Sequence, residues 1–485
     1  MFKKSGVNIL TYVFILAILV IFVFLMIKAP VLHDDIYFRE EGGGTISSAI
    51  KDSLDYGNGR FGGNFCIYYL MQHDVLRIAI KSVVAVLMFA FASLLVDKNK
   101  YVFAVSLFLF LTVEVSIFRQ VYVSSAAYFN YVVPIFMLFA TVLLLDKGFC
   151  GKWSYPLIFV LGFSMQLFAE HNTVINCIIA FAVLAFKFYF EKGTEKKKEI
   201  LFFVSSILGA GVMFLLPKAL GVSDKMDAYR YMPIFNIGDL FSVCMSNAYT
   251  IATSFLKNTI LITFISVLCV VLSKKNKKVS LVQTAVFVLT VSVGLILKFT
   301  DVFGKFSGYY ITAFFILICF AFCACFFVTV LKNVSDLKIR NRILGDIVFS
   351  LLSFLVLLPV FPIGTRCLFL GYALLVVAAL RLFKYTLSEK EIERVSLCLS
   401  VALTVVLVFV AYMYSCGRRA DEERMEYLSE KLSSGETEIT MPILPYSRMF
   451  ANCGHSYVFD QFYYVEKSGD VKYEFVPYEE WLEIK

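Results

Sequence analysis

Two short stretches of this chain carry side chains suited to work at a charged centre. One is His33-Asp34-Asp35-Ile36-Tyr37 and the other is Asn58-Gly59-Arg60-Phe61. A carboxylate can take a proton from a hydroxyl as general base, or help to hold a divalent cation such as Mg or Mn. An arginine pairs with phosphate oxygens in a fork geometry. In an extended segment neighbouring side chains point to opposite faces, so Asp34 and Asp35 enter one site together only where the loop bends. Either is the candidate base or metal ligand, with Asp34 slightly favoured. An Asp-Asp pair is common in sequences, and a solvated acidic loop is its plainer reading.

Further polar residues stand at the ends of apolar blocks: Arg119-Gln120, Tyr128-Phe129-Asn130-Tyr131, Glu170-His171-Asn172, and Arg366 in Pro362-Ile363-Gly364-Thr365-Arg366. Each alone also reads as a headgroup contact or a loop-stabilising hydrogen bond, and Tyr128 and Tyr131 suit an interfacial aromatic belt. Glu114 lies about one turn inside a block. A charge at the bilayer centre costs about 2.5–3.5 kcal/mol on insertion scales, so Glu114 is expected to face a polar cavity or to pair with Arg119. Gly42-Gly43-Gly44 has no phosphate-loop context and reads as a flexible joint.

The elements that must position these residues are membrane helices. Of 485 residues, 59% are hydrophobic and 17% charged, against about 45–50% and about 25% in soluble domains. The apolar excess comes in blocks of roughly 18–23 residues, enough to cross a hydrocarbon core as helices. The expected fold is an all-α polytopic membrane protein with about thirteen spans, near 8–28, 76–96, 101–118, 131–145, 154–169, 173–190, 199–216, 252–273, 279–297, 309–331, 343–361, 367–384 and 395–414. The first block is read as a retained helix rather than a signal peptide, because no small-x-small cleavage site precedes Pro30. The formal charge of +8 does not point to nucleic acid. Lys and Arg concentrate in alternate short loops, among them Lys98 and Lys100, Lys274 to Lys278, Lys332 to Arg342, and Arg381 to Arg394. That bias places the N-terminus in the cytoplasm, and an odd number of spans then places the tail outside.

Three outer segments are large: 29–75, 217–251 and 415–485. All four histidines, His33, His73, His171 and His455, fall on that side. Within the first, Thr45 can cap a helix whose Ile46, Ile50 and Leu54 share a face and whose end suits Gly57, a helix lying on the membrane surface. Phe65 to Met71 is too short to cross and is expected at the interface. The chain divides into a membrane region, 1–415, and a small α+β tail, 416–485. In the tail a helix from Asp421 to Leu432 precedes strands near Glu438–Leu444, Gln461–Val465 and Val471–Val476, the last two joined at Ser468-Gly469-Asp470. The twelve cysteines lack paired metal spacing, and most read as small buried residues. A Cys416–Cys453 disulfide is one option in the tail.

A leading helix, an outer loop opening with Asp-Asp, surface helices in that loop and many further spans resemble the GT-C superfamily of polytopic glycosyltransferases. More closely, His33 to Tyr37, Asn58-Gly59-Arg60, Tyr128 to Tyr131 and, in style, Met441-Pro442-Ile443-Leu444-Pro445 are similar to a bacterial glucosyltransferase-like family. The resemblance implies a GT-C-like fold in a bacterial plasma membrane. It also implies a transferase moving a sugar from a polyprenyl-phosphate-linked donor to a cell-surface glycan or cell-wall acceptor on the outer side. Asp34 or Asp35 would be the base or metal-holding group. Arg60, Arg119 and Arg366 would bind phosphate, and Tyr37, Asn130, Glu170 and His171 would contribute to substrate binding. A single displacement would invert the anomeric carbon. A lipid-linked oligosaccharide transporter, a polysaccharide polymerase and a non-catalytic scaffold are the competing readings.

Overall fold

The structure, a computed structural model, describes residues 2–32, 34–146, 151–190, 196–219, 236–300, 302, 308–450 and 471–484. The expected strand at 461–465, the turn at 468–470, Cys453, His33, His455 and residues 220–235 of the second large outer segment lie outside these. Among the described residues nine helices are long and apolar enough to cross a bilayer, or up to eleven if each of two bent pairs counts as a span. The chain is a helical, multi-pass membrane protein.

The number of such helices falls short of the expected thirteen for local reasons. The helices in chain order are α1 (Phe2–Lys28), α2 (Asp34–Glu41), α3 (Ile46–Asp55), α4 (Phe61–Leu70), α5 (Asp74–Leu94), α6 (Lys100–Leu111), α7 (Val115–Phe118), α8 (Ser125–Asp146), α9 (Ser154–Ser164) and α10 (Glu170–Phe190). Then follow α11 (Lys197–Ala219), α12 (Ile237–Lys257), α13 (Thr259–Lys275), α14 (Leu281–Phe299), α15 (Tyr309–Asn333), α16 (Leu337–Leu355), α17 (Phe369–Thr386) and α18 (Glu389–Ser433). At 11 residues, α9 reaches only about 17 Å. α16 carries Lys338, Arg340, Arg342 and Asp346. The expected span 252–273 straddles a break between α12 and α13, bent by 65°. The expected span 101–118 is also broken: α6 turns by 92° into α7, which continues as a π-helical turn, Arg119–Val123.

The two breaks are fastened to each other. Glu114 caps α7, accepting from the amides of Ser116 at 2.8 Å and Ile117 at 3.3 Å. Its own amide donates to Asn258 Oδ1 at 2.9 Å, and Asn258 Nδ2 donates to the Ser254 carbonyl at 2.8 Å. Backbone that leaves the helix inside a membrane must find partners in protein. Glu114 does not pair with Arg119; its Oε2 satisfies backbone amides instead.

α8 and α17 are the central spans, 78% and 83% buried over their apolar windows. At one end of α17 and α5 the basic loops gather. There Lys275 donates to the Thr386 carbonyl at 2.8 Å, Lys384 pairs with Asp97 at 2.8 Å, and Lys278 donates to the Lys332 carbonyl at 3.0 Å. At the other end lie α2, α3 and α4. Thr45 caps α3 through a reciprocal pair of bonds with Ser48, each 3.1 Å. Ile46 and Ile50 are exposed, as a helix resting on lipid requires. The stretch 65–71, expected at the interface, packs against other helices rather than standing alone. Phe61, Ile67, Tyr68, Leu70 and Met71 are buried, because α4 packs between α3 and α8.

α18 runs unbroken for 45 residues, about 67 Å and twice the hydrocarbon thickness. The expected last span and the expected tail helix are thus one element, crossing position 416. Arg418–Glu422 and Arg419–Glu423 pairs at i,i+4 support the continuation. Strands β1 (Glu438–Ile443) and β2 (Lys472–Pro477) pair in parallel, Glu438 opposite Lys472, and α19 (Tyr478–Ile484) buries Trp481 against Tyr427.

Asn258→Ala removes the acceptor for the Glu114 amide, whereas Asn258→Asp keeps one. The alanine variant is expected to lose about 1–3 kcal/mol, read as a lower thermal midpoint in detergent, with the aspartate variant closer to wild type. Equal midpoints in all three proteins contradict the fastening.

Candidate functional site

Asp34 and Asp35 open a helix rather than an extended segment. Successive side chains on a helix diverge by about 100°, and the two carboxylates accordingly serve different partners. Asp35 is buried and accepts from the amides of Ser125 at 2.6 Å and Ala126 at 2.8 Å and from Ser124 Oγ at 3.2 Å. Those amides begin α8 and have no partner within the helix, where a negative charge is favoured.

The other side of the same junction is held by a cation. Lys81 Nζ donates to the Val123 carbonyl at 2.8 Å, and Arg77 Nη1 donates to Ser125 Oγ at 3.0 Å. Both residues are buried in α5. Sequence reading passed over this pair. The available signal was two cations four residues apart in an apolar block, which must point inward. Tyr128 donates to the Lys81 carbonyl at 2.6 Å. It and Tyr131 are both buried, not members of an interfacial belt.

Asp34 turns toward Arg366, with Oδ2 to Nη1 at 3.4 Å and each side chain about one-third exposed. Arg366 is set by its backbone, whose amide donates to Gln120 Oε1 at 3.2 Å, while Thr365 donates to the Ser116 carbonyl at 3.2 Å. Arg60 lies against Glu170: its Nε is 2.9 Å from both carboxylate oxygens, and Nη2 also bonds Oε2. Burial works against the Arg60 charge, but Glu170 together with Tyr131 and Cys367 outweighs it and holds the guanidinium above its ordinary pKa. The motif around Arg60 is built for this placement. Asn58 Oδ1 accepts the Arg60 amide at 3.0 Å. Gly59 has φ +77°, and a Cβ there would stand 2.2 Å from the Met213 carbonyl oxygen, so only glycine fits.

Tyr131 joins the two ion pairs. Its hydroxyl is 3.4 Å from Cys367 Sγ, its ring is 5.6 Å from that of His171, and both guanidiniums act on it electrostatically. Asp34, Arg60, Glu170, His171 and Arg366 thus converge at one end of the bundle. Asn130 stands beside them, its Nδ2 on the Ala126 carbonyl at 2.9 Å and its Oδ1 against Gly63. Besides Asp35, two expected site residues point elsewhere. Tyr37 packs on Phe38, and Arg119 Nη1 donates to the Arg448 carbonyl at 3.2 Å, tying the π-helical turn to the tail.

One part-exposed carboxylate beside two guanidiniums suits a hydroxyl and an anion arriving together. Among the described residues no three His, Cys, Asp or Glu side chains are grouped as a metal site requires. Asp35 already accepts three donors and Asp34 faces a guanidinium, a donor set fitted to an anion more than to Mg or Mn. A separate apolar cavity at the breaks is lined by Ile117, Phe255, Asn258, Phe322, Leu368 and Tyr372, among others. Comparison with protein-family models, curated proteins and solved structures finds no match to this chain.

Asp35→Ala strips a buried helix start of its acceptor and is expected to cost about 3 kcal/mol. Asp35→Asn, which turns an acceptor toward an amide into a donor, should lose much of the same stability. Thermal midpoints of the purified variants measure this; wild-type values for both exclude the anchoring role.

Proposed function

We propose that this chain is a GT-C-like membrane glycosyltransferase. It takes a sugar from a polyprenyl-phosphate-linked donor and passes it to a glycan or similar acceptor on the extracytoplasmic side of a bacterial plasma membrane. The observation that carries the reading is the meeting of Asp34, Arg60, Glu170 and Arg366, from four separate stretches, at the end of the bundle away from the lysine-rich loops. The positive-inside bias supports an outward orientation for that end. The exposed apolar row of α3 supports a site at lipid level, where a lipid-linked phosphate arrives sideways.

In this mechanism Asp34 accepts the proton of the acceptor hydroxyl. The hydroxyl oxygen forms a bond to the anomeric carbon, and the bond from that carbon to the phosphate oxygen breaks with its electron pair on the phosphate. Arg366 receives that charge, with Arg60 as a fixed cation behind it. Asp35 positions Asp34 through its hold on α8. One displacement gives inversion.

Transport is the second reading, favoured by the two broken spans and their shared Asn258 contact, a feature of many transporter folds. Against it, the Glu114 carboxylate at the break is taken up by capping, and the adjoining cavity lining is apolar apart from Asn258 and the Tyr372 hydroxyl.

The test supplies reconstituted membranes with polyprenyl-phosphate sugars and follows sugar release. Asp34→Asn is expected to lower turnover by about 10²–10⁴-fold, and Arg366→Ala to raise KM for the donor. Full turnover in Asp34→Asn removes the proposed base. Sugar crossing the bilayer with its phosphate bond intact supports transport instead.

A further inference from the structure

We propose that the α13–α14 and α15–α16 connections together form a binding platform for the phosphate headgroups of anionic phospholipids at the basic end of the bundle. Residues 274–278 and 332–342 hold eight lysines and arginines against one carboxylate, Asp336. That carboxylate caps α16, accepting the Ile339 amide at 2.9 Å. Other carboxylates at this end are engaged too: Glu391 by Lys275 and Ser388, and Asp97 and Glu389 by Lys384. Lys274, Lys277, Lys332 and Lys338 are exposed, and among the described residues none of their ammonium groups has an ion pair or hydrogen bond. Like charges gathered without counter-charges repel one another, and an anionic partner relieves that repulsion.

The platform is built, not a scatter of surface lysines. Asn276 Nδ2 donates to the Asn333 carbonyl and Lys278 Nζ to the Lys332 carbonyl, each at 3.0 Å, so the two connections are fastened side by side. The Ser335 amide donates to the Tyr385 hydroxyl at 3.0 Å, tying the second connection to α17. Lys277 has φ +54°, a left-handed backbone that glycine or asparagine adopts at lower cost. A lysine there gives up backbone stability in return for its side chain. The neighbours favour lipid over a soluble acidic partner. Val279, Leu281 and Val282 are 50%, 85% and 72% exposed, and Leu337, beside Lys338, is 59% exposed. Leu281 opens α14, which is long and apolar enough to span a bilayer, so its first turn marks the level at which the chain enters lipid. Bare apolar side chains among lysines suit a boundary with acyl chains on one side and headgroups on the other. A lysine stem lies along that boundary while its ammonium reaches a phosphate. The inference goes beyond the transferase reading and does not depend on it.

The test releases the full chain from mixed nanodiscs and measures, by native mass spectrometry, retention of phosphatidylglycerol against phosphatidylcholine with the same acyl chains. Wild type is expected to retain phosphatidylglycerol about tenfold more strongly, with the preference falling as salt rises. The variant Lys274→Gln/Lys277→Gln/Lys332→Gln/Lys338→Gln should lose the preference. Arginine at the same four positions should keep it, since either cation meets a phosphate. A control, Lys98→Gln/Lys152→Gln/Lys196→Gln/Lys198→Gln, removes as much charge at the starts of α6, α9 and α11 and should also keep it. Absence of any preference in wild type overturns the proposal without need of a variant. A preference that survives the first glutamine set overturns it as well. So does an equal loss in both glutamine sets, because the charge of the whole end would then govern. Binding of a soluble polyglutamate peptide that phosphatidylglycerol vesicles fail to displace would replace the lipid with an acidic protein partner.

Discussion

A break in a helix within a membrane leaves carbonyls on one side and amides on the other, and lipid can satisfy neither. At Val123–Ala126 this chain meets both needs with charges of the matching sign. Lys81 donates to the last carbonyl of the π-helical turn, and Asp35 accepts from the first amides of α8. α8 is a central span, so the junction fixes the middle of the bundle. Asp35 also begins α2, so the same contact fixes the segment between α1 and α5. The rest of the site is positioned from there: Asp34 is one residue away and Tyr131 is less than two turns along α8.

Two ion pairs at this end differ in a way that suits different tasks. In Arg60–Glu170 the guanidinium is buried and the carboxylate about one-third exposed, and Nε and Nη2 both bond the carboxylate, with Asn58 and Gly59 shaping the backbone beneath it. Several hydrogen bonds fix such a pair in place. Asp34–Arg366 is longer, at 3.4 Å, and open to solvent. In the proposed transferase its partners separate to meet an incoming hydroxyl and an incoming anion. A rigid cation behind a loose pair is an arrangement in which charge is preorganised without closing the site.

The tail is part of this construction. α18 carries it out of the membrane on a single helix, and Tyr414 and Arg119 fasten the Ser447–Met449 turn through the Met449 and Arg448 carbonyls. Gly417 lets Phe450 lie directly on α18, where a Cβ would come within 2.1 Å of the ring. Arg119 thus links the tail to the π-helical turn whose next residue, Gln120, holds the Arg366 amide.

The membrane class, most helices and the Thr45-capped helix were legible in the sequence, because hydrophobic length and capping residues are local quantities. So was the set Asp34, Arg60, Glu170, His171 and Arg366, since polar residues at the ends of apolar blocks are few. The different fates of Asp34 and Asp35, the diversion of Arg119 to the tail, the capping by Glu114 and the inward pair Arg77 and Lys81 were not legible. Each depends on which backbone groups a distant helix break leaves unpaired, and only the packed bundle decides where those groups lie.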